Sequence, residues 1–262
     1  MIKPNKYLKA YDDQLRTDAE TPSAIHVEKL DVLRLVTFAG GRGFITYRDL
    51  GSLNEDGIST LVGQALEHFR RDAQITTIEW KSRGHDHAPG LHEALLAHGF
   101  TPDEPESIMI GPLEALCSDG STPDGVLLRQ VSSDVEVRAM SEMVDEAFGD
   151  PASTRQADAL LARLARNDGM ELWVAETAGR MVGAGRLEPV PGTGFAGIWG
   201  GAVLEAYRGR GIYRALTAAR AKSALAQGKT LAHSDSTEYS RPILERSGLV
   251  KVSTTTPYNW SR

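Results

Sequence analysis

The segment "YRGRGIYRAL", Tyr207 to Leu216, places two glycines and three arginines directly before alanine-rich sequence that predicts a helix. The first turn of a helix has backbone N–H groups without partners inside the helix, and the helix dipole adds partial positive charge there. Between Ala206 and Gly211 the chain contains only Ala, Tyr, Arg and Gly, none of which caps a helix with its side chain. We therefore expect the amides at this helix start to be open to a ligand.

The residues of this turn suit an anion such as a phosphate or pyrophosphate. Gly209 and Gly211 allow unusual torsions and close approach, while Arg208, Arg210 and Arg214 add full positive charge. A solvent-exposed glycine turn with surface arginines is the alternative. A predicted strand just before the turn and an apolar stripe on the following helix favour the anion site; the stripe comprises Ile212, Ala215, Leu216, Ala219, Ser223 and Ala226.

The overall composition is that of a soluble globular protein. Of the 262 residues, 41% are hydrophobic and 24% charged, and the net charge of -6 argues against nucleic acid or an anionic membrane as the main partner. Cys117 is the only cysteine, which excludes an intrachain disulfide and a multi-cysteine metal site. With no signal-peptide pattern and no apolar run of about 18 residues, we expect a cytoplasmic protein.

Predicted elements follow one another in two similar series. The first contains two strands around a glycine turn in "VLRLVTFAGGRGFITYRDL", a helix in "DGISTLVGQALEHFRRD", the strand "ITTIEW", the short helix "GLHEALLAHG" and the strand "SIMIGPL". The second contains the strand "VLLRQV", two helices within residues 133–167, a hairpin around Ala178 and Gly179, the strand "FAGIWGGAVL", the helix after "RGRG", the strand "TLAHSD", the short helix "SRPILERSG" and the strand "LVKVSTTT".

The two series predict a duplication with a boundary between the halves. "CSDGSTPDG" is the most loop-like segment, so we expect a first domain at residues 1–118, a linker at 119–125 and a second domain at 126–262. The first-half counterpart of the alanine-rich helix begins near Asn54, Glu55 and Asp56, which would cap the amides and repel a phosphate. Only the second half is therefore expected to bind an anion.

At these residues the chain resembles the GNAT superfamily of acyl-CoA N-acyltransferases. The family motif is Arg or Gln, two residues, Gly, one residue, then Gly or Ala; residues 208–212 match it and Tyr213 departs at the last position. "RPILERSGL" is similar to the family's short helix before its penultimate strand. The resemblance implies an α/β fold of the α+β kind, with a mixed, mostly antiparallel sheet, helices on both faces, and a degenerate first half.

The resemblance also implies acetyl-CoA as co-substrate and direct transfer of its acetyl group to a primary amine. The pyrophosphate would lie on the amides of Gly209, Arg210, Gly211, Ile212, Tyr213 and Arg214. The pantetheine arm would pair like an extra strand along Ala202 and Val203, where the family's sheet opens. An acidic chain would attract a small, cationic acceptor.

The catalytic groups are less well defined by the sequence. A base must take the amine proton and an acid helps the thiolate to depart. The resemblance places Leu244 where many relatives have an acid Tyr, so Tyr239 or Tyr258 would have to substitute. Glu188, at a strand end, and His233, with Asp235 beside it, are the candidate bases.

Other functions stay open at this point. The missing acid Tyr is also compatible with a non-catalytic acyl-CoA-binding or sensing module, and the sequence leaves the acceptor and the oligomeric state undecided, a homodimer included. His85 and His87 in "GHDH" suggest a metal, but the segment is a polar loop without further ligand types nearby, so we expect no metal site.

Overall fold

The computed structural model describes residues 4–117 and 121–262, which form two compact units. The first contains the chain up to Ile108 together with Val252–Arg262, and the second is Met109–Lys251. This division differs from the predicted linker at 119–125 in two ways. It falls earlier in the chain, and the last strand joins the first unit because it pairs there with an internal strand, which loop composition cannot reveal.

The helices and strands lie as follows in chain order. The helices are α1 Pro4–Gln14, α2 Glu55–Arg70, α3 Leu91–Ala97, α4 Leu113–Cys117, α5 Asp134–Phe148, α6 Thr154–Leu164, α7 Ile212–Ala226 and α8 Arg241–Arg246. The strands are β1 His26–Leu30, β2 Leu33–Phe38, β3 Arg42–Tyr47, β4 Thr77–Arg83, β5 Thr101–Pro102, β6 Glu106–Pro112, β7 Leu127–Val131, β8 Glu171–Thr177, β9 Arg180–Pro189, β10 Phe195–Val203, β11 Leu231–Ser236 and β12 Val250–Ser261. Within the described residues, each helix is too short or too polar to cross a bilayer.

The first unit is built on the strand order β1-β2-β3-β4-β12. β2 and β3 pair antiparallel, and α2 then connects β3 to the parallel strand β4. The core of this unit packs one face of α2 on the sheet. Trp80 of β4 and Tyr258 and Trp260 of β12 contribute large aromatic side chains to it. The terminal strand is thus an integral part of this core.

The second unit repeats this arrangement with the strand order β6-β11-β10-β9-β8-β7. β9 and β10 pair antiparallel, and α7 connects β10 to the parallel strand β11. α7 lies on the face of β9 that carries Gly183 and Gly185, because a Cβ on either residue would touch this helix. Side chains alternate between the two faces of a strand, so Val182 and Ala184 project to the opposite face, where α5 contacts β9. The predicted mixed, mostly antiparallel sheet is confirmed, as is the order of elements that suggested two related halves.

Candidate active site

The start of α7 is open, as the arginine–glycine turn predicted. Gly211 is the N-cap residue with φ of 84°, and no side chain of the described residues caps the first turn. Among the described residues, no acceptor meets the backbone N–H groups from Gly209 to Arg214, and the helical bonds begin with Ala215 donating to the Gly211 carbonyl at 3.0 Å. A row of main-chain donors therefore faces out at the positive end of the helix dipole.

Two of the three arginines brace the turn through backbone carbonyls. Arg208 donates from Nε to the carbonyl of Val203 at 3.1 Å and from Nη2 to the carbonyl of Ala147 at 2.9 Å. Arg210 donates to the carbonyl of Ala206 at 2.9 Å, and its guanidinium stacks over the ring of Tyr207 at 5.0 Å. The positive charges of Arg208 and Arg210 therefore lie near the turn, but some of their N–H groups already donate to backbone carbonyls.

Arg214 is the arginine that lies beside the open amides. Its side chain is exposed, and its Nη2 lies 3.9 Å from the position that a Cβ on Gly211 would occupy. The ring of Pro123 borders the same position at 3.7 Å. An anion at the helix start would thus meet main-chain donors together with one exposed guanidinium.

The corresponding helix of the first unit is capped by the protein itself. The Asn54 side chain accepts from the amide of Gly57 at 3.0 Å, and Glu55 and Asp56 occupy the first turn. The predicted contrast between the two helix starts is confirmed. Carboxylates at this position also disfavour a phosphate electrostatically.

The sheet of the second unit opens beside the α7 start. β10 and β11 pair in parallel only from Phe195 to Gly197, which faces His233. β10 then carries an irregularity between Trp199 and Ala202, with Gly200 at φ of 59°. No pair joins β10 to β11 beyond Gly197 in the described part of the chain, so the edge of β10 along Ala202 and Val203 is separated from its neighbour.

Tyr213, which departs from the family motif, fits because its position faces a glycine. A Cβ on Gly201 would lie 2.6 Å from the Tyr213 ring atom Cε2, so the ring rests against bare backbone at the irregular part of β10. Burial raises the pKa of the Tyr213 phenol, while the charge of Arg220 acts in the opposite direction. The phenol is therefore neutral and protonated at physiological pH.

Arg220 is a fully buried guanidinium under the same part of the sheet, and sequence reasoning missed it. It donates to the carbonyls of Leu216, Arg186 and Trp199 and to the Thr217 hydroxyl, at 3.1–3.2 Å. No carboxylate pairs with it among the described residues, and burial lowers its pKa to about 10. The only sequence signal is an arginine that interrupts the small residues of the α7 stripe.

A small pocket of about 10 Å³, room for about one water molecule, lies between the start of α7 and α8. Leu244, the residue at the family's acid position, lines this pocket and is only 1% exposed. Because leucine has no acidic group, this position supplies no proton. Tyr213 and Thr217 line the same pocket from α7. The remaining lining residues are Leu116, Arg214, Ile243 and Ser247.

The predicted bases Glu188 and His233 lie in one row across the sheet. Both pair with Gly197, from β9 and β11 respectively, and cross-strand partners project to the same face. The Trp199 indole stands edge-on to the His233 ring at a centroid distance of 5.0 Å. Glu188 forms ion pairs with Arg186 and, at 3.9 Å, with Arg163, so its carboxylate is engaged by two guanidinium groups.

The two tyrosines considered as substitute acids have different surroundings. Tyr239 is 92% exposed and precedes α8. Tyr258 belongs to the core of the first unit, where its hydroxyl shares a hydrogen bond of 2.9 Å with Nδ1 of His92. The loop histidine His85 bonds to Ser253 at 2.7 Å; residues 4–117 and 121–262 contain no group of three or more metal-ligand side chains.

The family model described as "Acetyltransferase (GNAT) family" matches residues 137–248. No curated protein matches the sequence.

Solved structures resemble the whole chain. A GCN5-related N-acetyltransferase from Kribbella flavida is 16% identical with a TM-score of 0.65, covering 98% of this chain and 93% of that chain. A tandem GNAT protein from the clavulanic acid biosynthesis pathway is 14% identical with a TM-score of 0.63, covering 98% and 95% respectively. The family model thus matches the part of the second unit that contains the open turn, and the chain as a whole shares its fold with a tandem GNAT protein.

Proposed function

We propose that the second unit transfers the acetyl group of acetyl-CoA directly to a primary amine of a small acceptor. The observation that carries this proposal is the row of open amides from Gly209 to Arg214, with the Arg214 guanidinium beside them. Diphosphates bind well to such helix starts, because several N–H groups and the helix dipole converge on one anion. The family match to the same segment supports this use of the turn.

The opened edge of β10 would take the pantetheine arm. Ala202 and Val203 follow the point where β10 and β11 separate, so the arm could lie beside them as an added strand. The Val203 carbonyl already accepts from Arg208, so main-chain bonds to the arm would come from other backbone groups of this edge. Bound acetyl-CoA would supply a thioester carbon that an amine can attack.

The amine would lose its proton to Glu188 or His233, both in the row at Gly197. A free amine is the nucleophile, because its ammonium form has no lone pair for the attack. The net charge of -6 favours a cationic acceptor by long-range attraction. The acceptor would therefore be a small amine that is positively charged before it reacts.

Calorimetric titration with acetyl-CoA tests the anion site. In Gly211→Asp the new carboxylate would cap the amides and repel the diphosphate; its Cβ meets nothing closer than 3.7 Å, and Asp tolerates a positive φ. We expect the affinity to fall by about tenfold or more, which corresponds to about 1.4 kcal/mol. Gly192→Asp is the matched control, since Gly192 also has a positive φ of 71° and open space around it.

Equal affinities for wild type and Gly211→Asp would contradict the site. Turnover is measured separately as release of free CoA over a panel of polyamines, aminoglycosides, amino acids and peptides. Release that depends on one of these amines supports the transferase. Tight binding of acetyl-CoA without release on the whole panel would favour the acyl-CoA-binding or sensing module, which the apolar Leu244 makes the second candidate.

A further inference from the structure

We propose that Tyr213 is the proton donor to the departing thiolate in this acetyl transfer. The inference rests on the proposed function and adds a catalytic residue to it. Tyr213 is at the position of the turn that departs from the family motif, and its phenol lines the pocket into which Leu244 brings only an apolar side chain.

The order of residues along β10 brings the reacting end of the thioester to this ring. A diphosphate at the α7 start and an arm running past Val203 and Ala202 would reach Gly201 next, since these residues follow one another along the strand. The Tyr213 ring lies against Gly201. Tyr213 is the second residue of α7, so its backbone amide is one of the open donors, while its ring contacts Gly201, farther along the path proposed for the arm.

The surroundings of the phenol suit a proton donor. The charged side chains near the ring are Arg220, which is fully buried, and Arg214, which lines the pocket. Leu116, Thr217, Ile243, Leu244 and Ser247 complete the lining and carry no charge. Burial keeps the phenol protonated before the reaction, and the positive charge of Arg220 stabilises the phenolate that forms when the proton leaves.

The proposed step balances as follows. The lone pair of the amine nitrogen forms the C–N bond, and the C–S bond breaks with its electron pair moving to sulfur. The Tyr213 O–H proton passes to that sulfur and yields the free thiol of CoA. The base takes one proton from the amine nitrogen and releases it to the solvent, and the phenolate takes one proton back from the solvent, so both groups return to their starting states and no net proton is gained or lost.

Tyr213→Phe keeps the ring against Gly201 and removes only the hydroxyl. We expect kcat to fall by about a hundredfold, the usual contribution of a general acid, while KM for acetyl-CoA and its calorimetric Kd stay at wild-type values. Tyr239→Phe is measured beside it because Tyr239 is the competing candidate from the sequence, and we expect its kcat to match wild type.

A binding measurement without turnover gives an independent readout. A phenol that donates to sulfur stabilises the thiolate of CoA, so wild type should bind CoA more tightly at about pH 9 than at about pH 7, with acetyl-CoA as the reference at each pH. Tyr213→Phe should lose this gain. Wild-type kcat in Tyr213→Phe, equal losses in kcat and Kd, or an unchanged pH dependence of CoA binding would each overturn the inference.

These outcomes are separable from a failure of the proposed function. If wild type releases no CoA with any amine of the panel, the transferase proposal fails. If wild type turns over and Tyr213→Phe turns over equally well, only the role of Tyr213 fails.

Discussion

At the scale of single residues, the second unit depends on glycines that face large side chains. Gly201 makes room for the Tyr213 ring, and Gly185 makes room for the guanidinium of Arg220, whose Cζ lies 2.5 Å from where a Cβ on Gly185 would be. Arg220 in turn holds the carbonyl of Trp199 at the irregular part of β10. A glycine on one strand therefore fixes the backbone of the next strand through one buried side chain.

Gly185→Ala should be strongly destabilising for this reason. The added methyl group overlaps Arg220, which cannot move without losing hydrogen bonds in a closed site. We expect the free energy of unfolding to drop by about 2–3 kcal/mol, measured by urea denaturation. Gly194→Ala is the control, since its Cβ would meet only the Thr230 hydroxyl at 3.1 Å. A cost no greater than that of the control would contradict this account.

The role of a single residue could be predicted from the sequence only where that role depends on its neighbours in the chain. The open turn at Gly209 and Gly211 follows from the absence of a capping side chain, which the sequence shows directly. The contact of Tyr213 with Gly201 and the position of Arg220 under β10 depend on tertiary packing. Neither leaves a spacing pattern that a single sequence can reveal.

At the scale of elements, the helices of the second unit begin in different ways. α7 begins at Gly211 without a side-chain cap, whereas α5 begins with a capping box in which Ser133 and Glu136 bond to each other's backbone. Hydrogen bonds from Ser133 and from Arg129 lower the pKa of Glu136 to about 2. The start of α5, on one face of the sheet, is thus closed by its own residues, whereas the start of α7, on the opposite face at the candidate site, is not.

The capping box predicts a specific pH dependence. Because the pKa of Glu136 is about 2 in the folded protein and 4.5 when unperturbed, its contribution to stability is complete above 4.5 and is lost as the pH falls toward 2. Glu136→Gln should therefore be less stable than wild type at about pH 7, and the difference should shrink as the pH falls through this window. Denaturation at a series of pH values measures it; a difference independent of pH would contradict the role of the carboxylate.

Most elements were predictable because they carry clear local signals. The hairpin at Ala178 and Gly179 was expected, and both residues have positive φ, as a tight turn requires. β1 was missed because its residues are almost all exposed and show no alternation of apolar and polar types. The separation of β10 from β11 was expected from the family resemblance alone, since it arises from how α7 and the strands pack.

At the scale of the whole molecule, the chain repeats one arrangement and uses only one copy for the candidate site. In each unit an antiparallel pair is followed by a helix and a parallel strand. The helix start is self-capped at Asn54 in the first unit and open at Gly211 in the second. The order of elements was readable from the sequence, but the place of β12 in the first unit was not, because strand pairing at that distance leaves no local signal.

The last strand should contribute strongly to the stability of the first unit. Trp260 of β12 packs in its core and its ring stacks with the Arg70 guanidinium. We expect Trp260→Ala to cost about 3–5 kcal/mol and to accelerate amide hydrogen exchange in β3 and β4. Ser261→Ala, at an exposed position of the same strand, is the control. Wild-type protection of β3 and β4 in Trp260→Ala would contradict the assignment of this strand to the core.

The same strand affects how the protein is made on the ribosome. Residues 252–262 are translated after the whole second unit, yet they complete a sheet whose other strands lie before residue 109. During synthesis, the edge of β4 that later pairs with β12 stays unpaired while the whole second unit emerges from the ribosome. The strands of the first unit are therefore exposed to premature association and to chaperones while the second unit is synthesised, and the second unit can fold to completion before the first.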